Sequence, residues 1–420
     1  MPLPVLAMMV CTFCIGTAES VIAGILPDIA RDVGVSLTAV GLLITVYAVA
    51  VVLVGPFVTA ATARLRRATL LPAMMGVFVL GNALAALAPG FGWLLAGRVV
   101  SAVVHSTLIA AFVAAARDMA PPDRRAAWGA KVTLGIGLSS VAGVPAGTLI
   151  GNAFGWRATF WALAALSLAA AALLARCAVP EAAPGATAGA AGACRPGGAG
   201  AGRLRFVLPG RMLLVAVVIT LGTAGVFALY TYASPYLTES AGFGTRGVTV
   251  LLLLYGLGGI AGNTVGGRAA DRFPSAAVPV TLGTAAAGLL LLALPPGSRW
   301  AVAGLFCLLG AAYFATIPAL NTAIVSAAGP SSSTMALTVN NSAFCVGIAL
   351  GSWLGGLLLA RGQALPAVAA AGAALTAAAL LLALVGTRRP KAVPAPGTPA
   401  ADVATDALTD TAVTGGESSR

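Results

Sequence analysis

Charge is scarce in this sequence: 9% of its 420 residues are Asp, Glu, Lys or Arg, whereas 59% are hydrophobic and mean hydropathy reaches +0.98. Such a chain cannot dissolve as a water-soluble globular domain, which excludes soluble enzymes and nucleic-acid-binding modules built on that plan. Lysine is almost absent, and neither Lys131 nor Lys391 sits in a G-x-x-x-x-G-K-[ST] loop, so direct drive by ATP is not expected. The six cysteines, at 11, 14, 177, 194, 307 and 345, fall mostly inside apolar runs or in basic breaks, and no disulfide framework is expected. Cys11 and Cys14 make a C-x-x-C, but inside an apolar helix they read as two small packing residues. No metal site and no cofactor is called for. No Lys or Arg precedes Arg31 and the first apolar run has full span length, so this run is expected to stay as a first helix rather than leave as a signal peptide.

What the sequence does have is a series of apolar runs, each near the ~20 residues a helix needs to cross a bilayer. Twelve are expected, at 4–27, 38–60, 69–88, 92–116, 131–152, 157–178, 210–237, 246–267, 276–296, 300–325, 333–359 and 365–386. The fold class is therefore an all-α integral membrane protein. Most of its Lys and Arg residues fall in alternate breaks and the C-terminal tail, which marks that side as cytoplasmic and puts both termini there. Residues 180–208, rich in Ala, Gly and Pro, read as a flexible cytoplasmic linker between a six-helix half at 1–179 and another at 209–387. The tail at 388–420 reads as disordered. The halves resemble repeats, because Gly143, Gly147 and Gly151 correspond to Gly347, Gly351 and Gly355 at one constant offset, as do Arg64 to Arg268 and Gly55 to Gly259.

Well inside these spans, away from their ends, lie one acid, Glu19, and one arginine, Arg98. A charged side chain at the bilayer centre costs roughly 2.5–3.5 kcal/mol on insertion scales, so each needs a partner, a proton or water. Counted at 1.5 Å per residue, both sit ~10–14 Å from the same membrane face, within reach of each other. Two readings follow: Glu19 carries a proton tuned by Arg98, or the two form a structural ion pair. His105, the single histidine, lies two turns beyond Arg98 on the same helix face, either titrating in a cavity or hydrogen-bonded as a neutral ring. Residues expected to line a binding cavity are Thr17, Tyr47, Asn82, Thr107, Phe227, Tyr230, Tyr232, Asn321, Asn340 and Asn341, although interhelical hydrogen bonding explains them equally well. The run GLSSVAGVPAGTLIG places Gly143, Gly147 and Gly151 on one helix face around Pro145, suited to close helix packing and a bend. GLGGIAG at 256–262 lacks the strand-turn-helix setting of a dinucleotide loop. The trio Asp28, Arg31 and Asp32 is the one carboxylate pair near a membrane face, and it reads as a solvated helix end rather than a catalytic centre.

The stretches GTAESVIAGILPDIARDVGVSLTAVGLL and AGVPAGTLIGNAFGWRATFWALA resemble the drug:proton antiporter-1 branch of the major facilitator superfamily, especially its bacterial chloramphenicol, arabinose and purine efflux members. The resemblance implies the major facilitator fold and matches its helix-1 and helix-4 motifs to Gly16, Thr17, Glu19 and Arg98; the proton-coupling candidates are Glu19 and Arg98, with His105 added by its place on the Arg98 face. The resemblance also places an antiporter motif at Gly143, Pro145, Gly147 and Gly151, and a cytoplasmic loop motif at Arg64, Arg66, Arg67, Arg268, Asp271 and Arg272. The first copy of the loop motif departs from the family by lacking its Asp. The implied activity is proton-coupled efflux of small neutral amphipathic compounds, chloramphenicol-like, by alternating access across the cytoplasmic membrane. Export of sugars or purine nucleosides is the alternative, and an enzyme is not expected. Protons, a small-molecule substrate and lipid are the expected partners of a monomer, with no nucleic acid.

Overall fold

The computed structural model describes residues 2–62, 65–121, 124–177, 210–295, 297–328 and 333–387. The expected linker at 180–208, the expected tail at 388–420 and Arg64 lie outside the described residues. Among the described residues, twelve helices are long and apolar enough to cross a membrane. They are α1 (Leu3–Ser20), α2 (Leu37–Thr62), α3 (Arg67–Ala86), α4 (Phe91–Asp118), α5 (Ala127–Phe154), α6 (Trp156–Arg176), α7 (Gly210–Tyr230), α8 (Thr245–Arg272), α9 (Pro274–Ala293), α10 (Arg299–Ala327), α11 (Ala336–Ala360) and α12 (Leu365–Val385). Successive spans cross in opposite directions. The face where α1 begins is called the near face below, and its opposite the far face.

Two spans depart from regular helices. The first expected run, 4–27, breaks: α1 ends at Ser20, and a second helical segment runs from Ile22 to Val33. At the break the Val21 N–H still reaches the Thr17 carbonyl at 2.9 Å, and Gly24 N–H bonds the Val21 carbonyl at 3.0 Å in a tighter turn. Gly34, with φ 69°, ends the second segment in the left-handed region that glycine enters without steric cost. In α5, Ser139–Gly143 form a wide π-turn, a feature that recurs at functional places in helices. Apolar periodicity reports neither irregularity, since composition stays membrane-like throughout.

Glycine ladders pack alike early and late in the chain. The α5 glycines rest on the first helix: Gly143 meets Thr17, Gly147 meets Val21 and Gly151 meets Ile25. The α11 glycines do the same on α7, where Gly347 meets Thr223, Gly351 meets Ala224 and Gly355 meets Ala228. Small residues at this spacing let backbones approach closely where no hydrophobic force separates helix from lipid. The first six and last six helices then meet along α2 against α11 and α5 against α8. Gly256 of α8 stands directly on the backbone of Ser140 and Val141, within the α5 π-turn. At the far face the Thr38 hydroxyl donates to the Gly356 carbonyl at 3.1 Å, a side-chain hydrogen bond between the first six and last six helices. Large exposed apolar side chains such as Phe57, Leu80, Trp93 and Phe154 suit a lipid-facing surface.

Candidate functional site

The site begins at the break in the first helix. Arg98, 1% exposed two turns into α4, donates from Nη1 to the Ala18 carbonyl at 2.7 Å. That carbonyl lies one turn before the break, where the regular helical ladder stops, and so accepts the guanidinium. The Arg98 Cζ lies 4.1 Å from the centre of the Tyr47 ring, a cation–π stack contributed by α2. The Tyr47 hydroxyl is in turn 2.8 Å from His105 Nδ1, with the two rings edge to face. The chain Ala18, Arg98, Tyr47, His105 thus links α1, α2 and α4 in one buried polar run.

Glu19 follows Ala18 directly and is half-buried. No ion pair within 4 Å joins it to Arg98; Arg98 holds the neighbouring peptide carbonyl instead. Its electrostatic surroundings are Arg98, Tyr47, Tyr313 of α10 and Cys345 of α11. Glu19 therefore stands where the first six helices face the last six. Across from it, Phe227, Tyr230, Tyr255, Phe306, Tyr313 and Phe314 form a connected aromatic cluster, with ring centres 4.7–6.2 Å apart. Tyr313, Tyr255 and Cys345 carry no motif, and the scarcity of tyrosine inside the spans is the signal that points to the first two. A separate groove of about 500 Å³ lies at the far ends of α9 and α10, lined by Leu291, Leu294, Val302 and their neighbours, and holds no ionisable residue other than Tyr236.

The other expected site residues fall into helix contacts. Thr17 Oγ1 donates to the Phe13 carbonyl at 2.8 Å and packs on Gly143. Thr107 and Thr59 share a 2.7 Å hydrogen bond that fastens α4 to α2. Asn82 donates to the Phe78 carbonyl within α3. The Tyr232 hydroxyl donates to the Ser352 carbonyl at 3.2 Å, and its ring sits among Gly41, Gly355 and Gly356 near the far face. Asn340 donates to Asn321 at 2.7 Å, joining α11 to α10, while Asn341 is exposed. Pro145, buried, follows the π-turn as the second residue of the helix that resumes at Val144. In the loop motifs Arg66, Arg268, Asp271 and Arg272 are exposed, whereas Arg67 is buried and paired with Asp118. Asp118 was not singled out from the sequence; its signal is an acid in an otherwise basic break.

Twelve helices long and apolar enough to cross a membrane, with a buried arginine among them, define a polytopic membrane protein. A family model described as Major Facilitator Superfamily matches residues 8–352 and 249–414, and the chain belongs to that family. The uncharacterized MFS-type transporter YfhI of Bacillus subtilis (strain 168) is 35% identical over 396 residues, covering 90% of this chain and 92% of the relative. A chloramphenicol resistance protein of Streptomyces lividans is 35% identical over 356 residues, covering 84% and 88% respectively. Among solved structures, a bacterial homolog of the human lysosomal transporter Spinster superposes with a TM-score of 0.68 at 16% identity, covering 91% of this chain and 94% of the other. That likeness extends to the fold.

Proposed function

We propose that this transporter exports small, neutral, amphipathic compounds in exchange for protons, with Glu19 as the proton carrier. The observation that carries the reading is Glu19 itself: a half-buried carboxylate inside a span, facing both helix sets, with Arg98 bound next to it and no ion-pair partner among the described residues. In a low-dielectric setting such a group is far less costly when it takes up a proton, and its exchange can be tied to which face the site opens toward. The aromatic cluster across from Glu19 supplies stacking surface without a fixed charge, which favours an amphipathic neutral substrate. The likeness to a chloramphenicol resistance protein supports a phenicol-like compound. On this reading the near face is cytoplasmic, because the basic breaks lie there, and both termini are cytoplasmic. The halves 1–179 and 209–387 rock as units about the site in a monomer, joined by the 180–208 linker. The packing of Thr38, Tyr232 and Gly356 at the far face supports a state closed on that side.

The test uses inside-out vesicles with an imposed proton gradient and a pH-sensitive dye, comparing wild type with Glu19→Gln as chloramphenicol is added. Collapse of the gradient in wild type and none in the variant is expected. Equal collapse in both would move the proton site elsewhere, and no collapse in either would reject chloramphenicol exchange.

A further inference from the structure

Arg98 uses one side of its guanidinium. Nη1 is bonded to Ala18, whereas Nε and Nη2 are buried without a partner among the described residues. Those two nitrogens form the side-on edge of the group, two parallel N–H donors that match the two oxygens of a carboxylate. Buried donors left unpaired are costly, so an arrangement that keeps them so requires a reason. The nearest acid in sequence and space is Glu19, one residue from the carbonyl Arg98 already holds. An arginine has four rotatable side-chain bonds, and nothing in α4 alone fixes which edge points at α1. Tyr47 does: its ring underlies the guanidinium, and the His105 bond fixes its hydroxyl.

We infer that Tyr47 and His105 are positioning residues that hold Arg98 with its Nε–Nη2 edge open to receive the Glu19 carboxylate, and that His105 acts as a neutral hydrogen-bond partner of Tyr47 rather than as a proton carrier. The inference rests on the reading of Glu19 as the proton-exchanging group. The titratable or charged groups around this cluster are Glu19 from α1, Tyr47 from α2, Arg98 and His105 from α4, Tyr313 from α10 and Cys345 from α11. A charged imidazole here would set two cations together in a low-dielectric interior, the opposite of what a stacked, singly charged guanidinium needs. In the neutral ring, Nδ1 accepts the proton of the Tyr47 hydroxyl, or donates its own to the hydroxyl oxygen; either tautomer completes the bond.

Two measurements on the purified full-length protein test the clamp. The first follows the Glu19 carboxyl band by infrared difference spectroscopy during a pH titration, the band being assigned by its loss in Glu19→Gln. Tyr47→Phe and His105→Leu are expected to move its midpoint by about one pH unit in the same direction, and the double variant by no more than either alone. His105→Gln, which keeps a partner for the Tyr47 hydroxyl, is expected to restore the wild-type midpoint. The second measures the pH profile of substrate-driven proton flux in vesicles, where the same rescue pattern is expected. Wild-type midpoints in both Tyr47→Phe and His105→Leu would overturn the clamp, and so would loss of coupling in His105→Gln with Tyr47→Phe unaffected. If the infrared pattern holds while no proton flux accompanies substrate, the clamp stands and the antiport reading is what fails.

Discussion

Arg67 Nη1 donates to Asp118 Oδ2 across 2.6 Å, tying the first residue of α3 to the last residue of α4 at the near face. Each charge is placed against its own helix dipole, a cation at an N-terminus and an acid at a C-terminus, and each offsets the other. The pair supplies what the first loop motif lacks: its acid comes from the end of α4 rather than from the loop. Asp118→Asn is expected to lower stability by about 1–3 kcal/mol, the range for a charge-assisted hydrogen bond to a buried group. Thermal unfolding in detergent checks it, and Arg67→Gln combined with Asp118→Asn should cost less than the two single effects summed.

Gly143 is expected to tolerate no larger side chain. A Cβ there would run into Thr17, whose hydroxyl is committed to the Phe13 carbonyl. Overpacking of this kind costs typically about 1–3 kcal/mol. Because the contact joins the π-turn of α5 to the first helix just before its break, the strain falls on the pair of irregular segments that adjoin Glu19. Gly143→Leu is thus expected to reduce transport about tenfold or more while membrane insertion persists. Uptake assays normalised to protein in the membrane measure the first, and retained twelve-span topology by cysteine accessibility measures the second.

The contrast between these two sites explains what could be seen from sequence. The spans were legible because a bilayer demands long apolar runs, and the glycine ladders because close packing demands small residues at a fixed spacing. Glu19 and Arg98 stood out because charge inside a span is rare. Their relationship was not legible: depth counting brought them to one level, but helix rotation decides contact, and rotation placed Arg98 on the Ala18 carbonyl. The break at Val21 and the π-turn at Ser139–Gly143 are backbone events in runs whose composition does not change. Polarity singled out Thr17, Thr107 and Tyr232 as cavity or helix-contact residues without separating the two roles; the Thr107 and Tyr232 hydroxyls bond neighbouring helices, and the Thr17 hydroxyl bonds within its own.

Asp32 gives a pH dependence outside the spans. Its Oδ2 accepts from Trp156 Nε1 at 3.0 Å and from Arg157, so these hydrogen bonds hold the carboxyl below the usual carboxylate range. A lowered folded-state value stabilises the fold above the unfolded value of about 3.9 and loses that contribution as pH falls through the folded one. Both side chains are partly exposed, so the effect is small. Asp32→Asn is expected to cost about 0.5–1 kcal/mol between pH 5 and 8, unchanged across that window. Melting curves of wild type and variant should draw together as pH falls below the unfolded value of about 3.9 and meet only once it has passed the lower folded-state one.

On the alternating-access reading, Gly356 lets the far face close. A Cβ at this position would press on the Tyr232 hydroxyl and the Thr38 methyl, and the Gly356 carbonyl is the acceptor that Thr38 reaches from α2. Tyr232 cannot retreat easily, since it is fully buried and its hydroxyl is bonded to the Ser352 carbonyl. Gly356→Leu therefore destabilises the far-closed state and leaves a far-open state, in which α2 and α11 are apart, untouched. If the strain is about 1.4 kcal/mol, the population shifts about tenfold. A cysteine substituted for Val40, fully buried at the far-face start of α2, reports the change in a background without the native cysteines. Its labelling by a membrane-impermeant maleimide from the far face should quicken by about that factor in Gly356→Leu. Unchanged labelling would mean that closure at this face does not depend on the approach of Thr38 and Tyr232 to Gly356.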